Sequence, residues 1–94
     1  MNRDLIMIIE DVFDITGRGV VAVGQIKNKT VYIGDEVIID PEFTSTIKAE
    51  IKQIESFRKM LKFAEPDQNV GLVLKGVQKK DVRKKMKIYI ESNE

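Results

Sequence analysis

Residues 9–24 read IEDVFDITGRGVVAVG, and three readings compete for them: a paired-carboxylate active site, a phosphate-binding loop, or two strands joined by a turn. Glu10 and Asp11 are adjacent, and neighbours on a strand point to opposite faces, so they share no proton and flank no common bond. Gly17-Arg18-Gly19 lacks the third glycine of a dinucleotide loop and leads into an apolar run of strand character, not into a helix. A hairpin turn between two strands fits both observations.

The same rhythm continues along the chain. Strand-like segments are predicted at 5–15, 20–26, 36–39, 47–57, 70–74 and 87–90, with turn chemistry at Gly17-Arg18-Gly19, Ile33-Gly34-Asp35 and Glu65-Pro66-Asp67-Gln68-Asn69. Within 47–57, Ile47, Ala49 and Ile51 share one face while Lys48, Glu50 and Lys52 share the other. Ile54 falls out of phase, which predicts a bulge near Lys52 and Gln53 and places Glu55 and Phe57 together on one side after it. The only helical candidate is about one turn at 80–85. The prediction is a single all-β domain over residues 1–94. An open sheet of six short strands leaves two vulnerable edges, so a small closed six-stranded β-barrel is expected.

Composition narrows the chemistry. The 94 residues contain no histidine and no cysteine, which removes His-based triads, thiolate nucleophiles, disulfides and the usual zinc ligands. Neither a Gly-x-x-x-x-Gly-Lys-Ser/Thr loop nor an Asn-Lys-x-Asp motif occurs, so no nucleotide-binding machinery is visible. A non-enzymatic protein without cofactor or metal is expected. The apolar run 5–9 is too short for a signal core or a membrane span, which favours a cytoplasmic protein without a membrane partner. Asn28-Lys29-Thr30 fits a glycosylation sequon but reads better as a polar turn.

With 16 basic and 15 acidic residues the net charge is near zero, so local clusters decide the partner. Lys79, Lys80, Arg83, Lys84, Lys85 and Lys87 form one such cluster, a candidate contact for a nucleic-acid backbone or else a solvated turn that protects a sheet edge. In IESFRK, Glu55, Phe57 and Arg58 set an aromatic beside a guanidinium, a combination that grips a base or ribose. Adjacent apolar residues in 5–9 and in Val20-Val21-Ala22-Val23 place hydrophobic groups on both faces of the first two strands. An outward apolar patch follows, with Ile6 or Ile8 among its members, available for self-association or for docking a partner.

Taken in order, IEDVFDITGRGVVAVGQI, VYIGDEVII, IKQIESFRKML and NVGLVLKGVQKKDV resemble domain 2 of elongation factor Tu and related translational GTPases, over nearly the whole chain. The resemblance implies a six-stranded barrel of the translation-factor type that holds the aminoacylated 3′ end of transfer RNA. It implies an aminoacyl pocket around Glu10, Asp11 and Phe13, and a position for Glu55 against the terminal adenine. It further implies that Phe57, Arg58 and Asn69 contact the aminoacyl ester or the terminal nucleotide. Lys85 stands near the glycine that the family has before its last strand. The family's GTPase domain and third domain have no counterpart in these residues, so weak RNA binding is expected. The alternative is a protein interaction module that docks a ribosomal component, a GTPase domain or a second copy of itself without binding RNA.

Overall fold

A computed structural model describes residues 2–92. Ten strand segments make it up: β1 (Asn2–Ile8), β2 (Asp11–Ile15), β3 (Gly19–Gln25), β4 (Val31–Tyr32), β5 (Glu36–Asp40), β6 (Ile47–Ser56), β7 (Lys59–Leu61), β8 (Phe63–Ala64), β9 (Asn69–Lys75) and β10 (Lys87–Ser92). All ladders are antiparallel. The main sheet runs β1-β10-β5-β6-β9-β3-β2 with β7 beside β6, and β4 and β8 form a separate pair. The fold is therefore all-β, as expected.

The strand count and closure differ from expectation. Among the described residues the ladder is a path with two ends, β1 and β2, and it holds ten segments where six were expected. The expected strand 5–15 divides at Ile9 and Glu10: its first part pairs with β10 and its second with β3. At the division, Ile9 N–H donates to the Met86 carbonyl at 2.9 Å, Lys85 N–H donates to the Ile9 carbonyl at 2.7 Å, and Glu10 N–H donates to the Val23 carbonyl at 2.8 Å. The chain thus leaves one end of the sheet and joins the other within two residues. The segments β4, β7 and β8 span only two or three residues each, too few for alternation to reveal them. The helical turn expected at 80–85 is a 3-10 turn at Lys79–Asp81 instead.

Phase slips explain which apolar residues lie inside. In β6 the register with β9 shifts between Ile51 and Gln53, so Ala49, Ile51 and Ile54 are all buried, as the out-of-phase Ile54 predicted. A second shift, between Leu5 and Met7 in the β1–β10 ladder, turns Ile6 and Met7 inward together. Ile6, expected outward, is fully buried for this reason, whereas Ile8 is 37% exposed. In β3, Val20 and Ala22 join the main core, while Val21 is buried outside that cluster and pairs with Phe13 on β2 and Val73 on β9. Phe13 and Ile15 remain exposed beside this outer pair, whereas most of the apolar residues in 5–9 and 20–23 expected to form an outward patch are buried.

Where β1 passes β3 there is no room for a side chain. A Cβ at Gly24 would lie 2.8 Å from the Ile8 carbonyl oxygen and 2.8 Å from Met7 Cγ. Close by, Lys27 N–H donates to the Ile6 carbonyl at 2.9 Å and Asn28 Nδ2 donates to the Leu5 carbonyl at 2.6 Å. Asn28 adopts a φ of 69°, which suits asparagine in a turn. Replacing Gly24 with alanine forces two packed segments apart. Overpacking of this kind costs about 1–3 kcal/mol. Urea unfolding of Gly24→Ala is expected to show a loss of that order, and an unchanged midpoint contradicts the close crossing.

Candidate functional site

The bulge in β6 aims Glu55 away from the core. Its ladder neighbours are Gly71 on β9 and Met60 on β7. Gly71 also faces Val23 on β3, so a missing side chain leaves a gap between Glu55 and Val23. A Cβ at Gly71 would come within 2.9 Å of Val21 Cγ1. The gap opens into a groove of about 320 Å³ lined by Glu10, Val23, Glu55, Ser56, Phe57, Asn69, Val70 and Gly71. Ser56 Oγ donates to the Asn69 carbonyl at 3.4 Å and ties the end of β6 to the start of β9.

The end wall is a turn in an unfavourable conformation. Ser56 pairs with Lys59, so Phe57 and Arg58 alone connect β6 to β7, with φ of 47° and 70°. Two consecutive positive φ values mark a type I′ turn, where asparagine and glycine are the usual residues. For a residue with a Cβ each left-handed position costs about 1–2 kcal/mol. Phe57 is 91% exposed, so core packing does not offset that cost. Phe57 was expected to extend the strand beside Glu55; β6 instead ends at Ser56, and the turn presents Phe57 to solvent.

Arg18, in the β2–β3 turn, reaches across β3 and β9 to Glu55. Its Nη1 donates to Glu55 Oε1 at 2.7 Å, and the Glu55 side chain is 19% exposed. Glu55 Oε2 is buried and has no hydrogen-bond partner among the described residues. A buried acceptor in that state favours any ligand that donates to it.

Four of the seven residues marked by the resemblance, Glu10, Glu55, Phe57 and Asn69, line this groove together. The other three lie elsewhere. Glu10 and Asp11 both answer to Val23, one through a backbone hydrogen bond and one as its ladder partner, the two-against-one arrangement of a bulge. Asp11 Oδ1 accepts the Val12 N–H at 2.9 Å, and Asp11 lines a second groove of about 510 Å³ with Val12, Lys79, Val82, Arg83 and Lys84. Arg58 lines a recess of about 230 Å³ with Arg18, Glu55, Lys59 and Met60. Phe13 sits outward beside Val21.

Of the basic cluster, Lys79, Arg83 and Lys84 line the second groove, Lys80 and Lys85 are exposed near it, and Lys87 is half-buried in β10. Lys85 takes a φ of 75° although it is not glycine, and its N–H is held by the Ile9 carbonyl. Among the described residues no group of His, Cys, Asp or Glu is arranged to hold a metal ion. No family model matches the sequence.

Two contributors escaped the sequence reading. Arg18 reads only as a turn residue, because nothing local announces a partner 37 positions away. Gly71 carried a signal, since a glycine inside a strand marks a gap or a close approach. The turn gives a direct test. Phe57→Asn combined with Arg58→Gly is expected to raise the unfolding free energy by about 1–2 kcal/mol, since residues suited to positive φ replace strained ones. A urea midpoint at or below that of the wild type contradicts the assignment of strain to this turn.

Proposed function

We propose that the chain is a non-catalytic RNA-binding module of the translation-factor barrel type, and that the groove between Glu10, Glu55, Phe57 and Asn69 receives the aminoacylated 3′ end of transfer RNA. The barrel reading treats residues 5–15 as one bent strand whose two parts pair at opposite ends of the sheet. Six principal strands then form a ring: this bent strand, β10, β5, β6, β9 and β3. The observation that carries the functional reading is the convergence of the four residues on one groove with an apolar floor.

The chemistry of the groove agrees with a terminal aminoacyl nucleoside. Glu10 and Glu55 accept hydrogen bonds and disfavour phosphate, so they suit ribose hydroxyls, an exocyclic amine or the ammonium of an esterified amino acid. Phe57, held in the open, offers a stacking face; stacking of a base on an aromatic contributes about 1–3 kcal/mol. The unpartnered Glu55 Oε2 awaits a donor. Val23, Val70 and Gly71 supply a floor without competing polar groups.

Titration with charged and uncharged transfer RNA at low salt tests the proposal, because salt suppresses the electrostatic part of weak RNA binding. Charged transfer RNA is expected to bind more tightly than uncharged. Glu55→Ala and Phe57→Ala are expected to weaken charged transfer RNA more than a random RNA duplex. Equal affinities for the three RNAs, or equal losses in both variants, overturn the assignment of the groove to an RNA end.

A further inference from the structure

We propose that the free edge of β2 and the segment 79–84 form a docking groove for an extended acidic peptide, which adds beside β2 as a further strand with alternating apolar and acidic side chains. This site is separate from the groove at Glu55 and does not depend on RNA binding there.

The first support is the open edge. Among the described residues β2 has a ladder partner on one side only, β3. Its Val12 N–H turns away from β3, since the Asp11 carboxylate of the same strand takes it at 2.9 Å. Strand alternation gives Asp14 the same outward backbone. An unpaired edge is a template for another strand, and main-chain hydrogen bonds then supply affinity.

The second support is the shape and charge opposite that edge. The groove, about 510 Å³, has Val12 and Val82 as apolar lining and Lys79, Arg83 and Lys84 as its basic rim. Positions 79–87 hold six basic residues and Asp81, a local charge of +5 in a chain whose total is +1, which leaves the remaining residues at −4. The three side-chain ion pairs among the described residues, Arg3–Glu91, Arg18–Glu55 and Lys29–Asp4, use none of these cations. With Asp81 as its one acidic member the cluster keeps a net charge of +5, so an anionic partner relieves its self-repulsion.

A peptide fits better than a phosphate chain. Phosphodiester oxygens only accept hydrogen bonds, so they would engage the basic rim and leave the outward carbonyls of β2 without donors. An extended peptide meets β2 through its neutral backbone, lays apolar side chains over Val12 and Val82, and turns its carboxylates to Lys79, Arg83 and Lys84.

The test is fluorescence anisotropy with a labelled, end-capped octapeptide of alternating valine and aspartate. The controls are the same peptide N-methylated at alternate amides and a ten-nucleotide single-stranded RNA. Micromolar binding of the unmodified peptide is expected, weakened at least tenfold by N-methylation and at least tenfold by the double variant Arg83→Glu, Lys84→Glu. Both positions are exposed, and unchanged urea unfolding of the variant confirms an intact fold. Equal binding of the N-methylated peptide reduces the contact to bulk charge and overturns strand addition. Binding of the RNA but not the peptide, lost in the same variant, makes the surface a phosphate contact and overturns the proposal. Absence of peptide binding at low salt overturns it as well.

Discussion

Everything in this molecule is organised by the two-residue passage at Ile9 and Glu10, where the chain leaves the β10 end of the sheet and joins the β3 end. The passage is held by backbone hydrogen bonds to Met86, Lys85 and Val23, so both backbone polar groups of the buried Ile9 are satisfied. Gly24 permits it sterically, since any Cβ there would strike β1. The consequence reaches both grooves. Glu10 faces one and Asp11 the other because both answer to Val23 at the bulge.

The groove at Glu55 is built from an omission and a strain. Gly71 omits the side chain that would fill the gap between β6 and β3, and the bulge after Ile51 sets Glu55 at its rim. Phe57 and Arg58 stand where residues without a left-handed penalty would be more stable. They are the two consecutive members among six non-glycine residues at positive φ, the others being Asn28, Glu42, Asp67 and Lys85. Arg18 completes the rim by holding one oxygen of Glu55 and leaving the other unpartnered.

Much of the fold was legible because alternation is a local signal. The polar and apolar faces of β6 and the bulge at Lys52–Gln53 follow from reading Ile47 to Ile54 by twos, and the hairpin at Gly17-Arg18-Gly19 follows from turn chemistry. What escaped was non-local or too short. The split at Ile9 and Glu10 has no breaker residue to mark it, and the slip that buries Ile6 beside Met7 is hidden in an unbroken apolar run. The end of β6 at Ser56 was missed because phenylalanine and arginine do not advertise a type I′ turn. The Arg18–Glu55 contact joins positions 37 apart, beyond any local pattern. Candidate site residues chosen by resemblance therefore divided among three surface recesses and an outer apolar face.

The Glu55 groove is the surface proposed to meet an RNA end. The most direct measurement is amide chemical-shift mapping of the labelled protein during titration with an aminoacylated acceptor-stem minihelix, compared with the same minihelix deacylated. Saturable shifts are predicted at Glu10, Glu55 to Arg58 and Asn69 to Gly71, larger for the aminoacylated form. Shifts confined to residues 79–85, or identical for the two minihelices, contradict it.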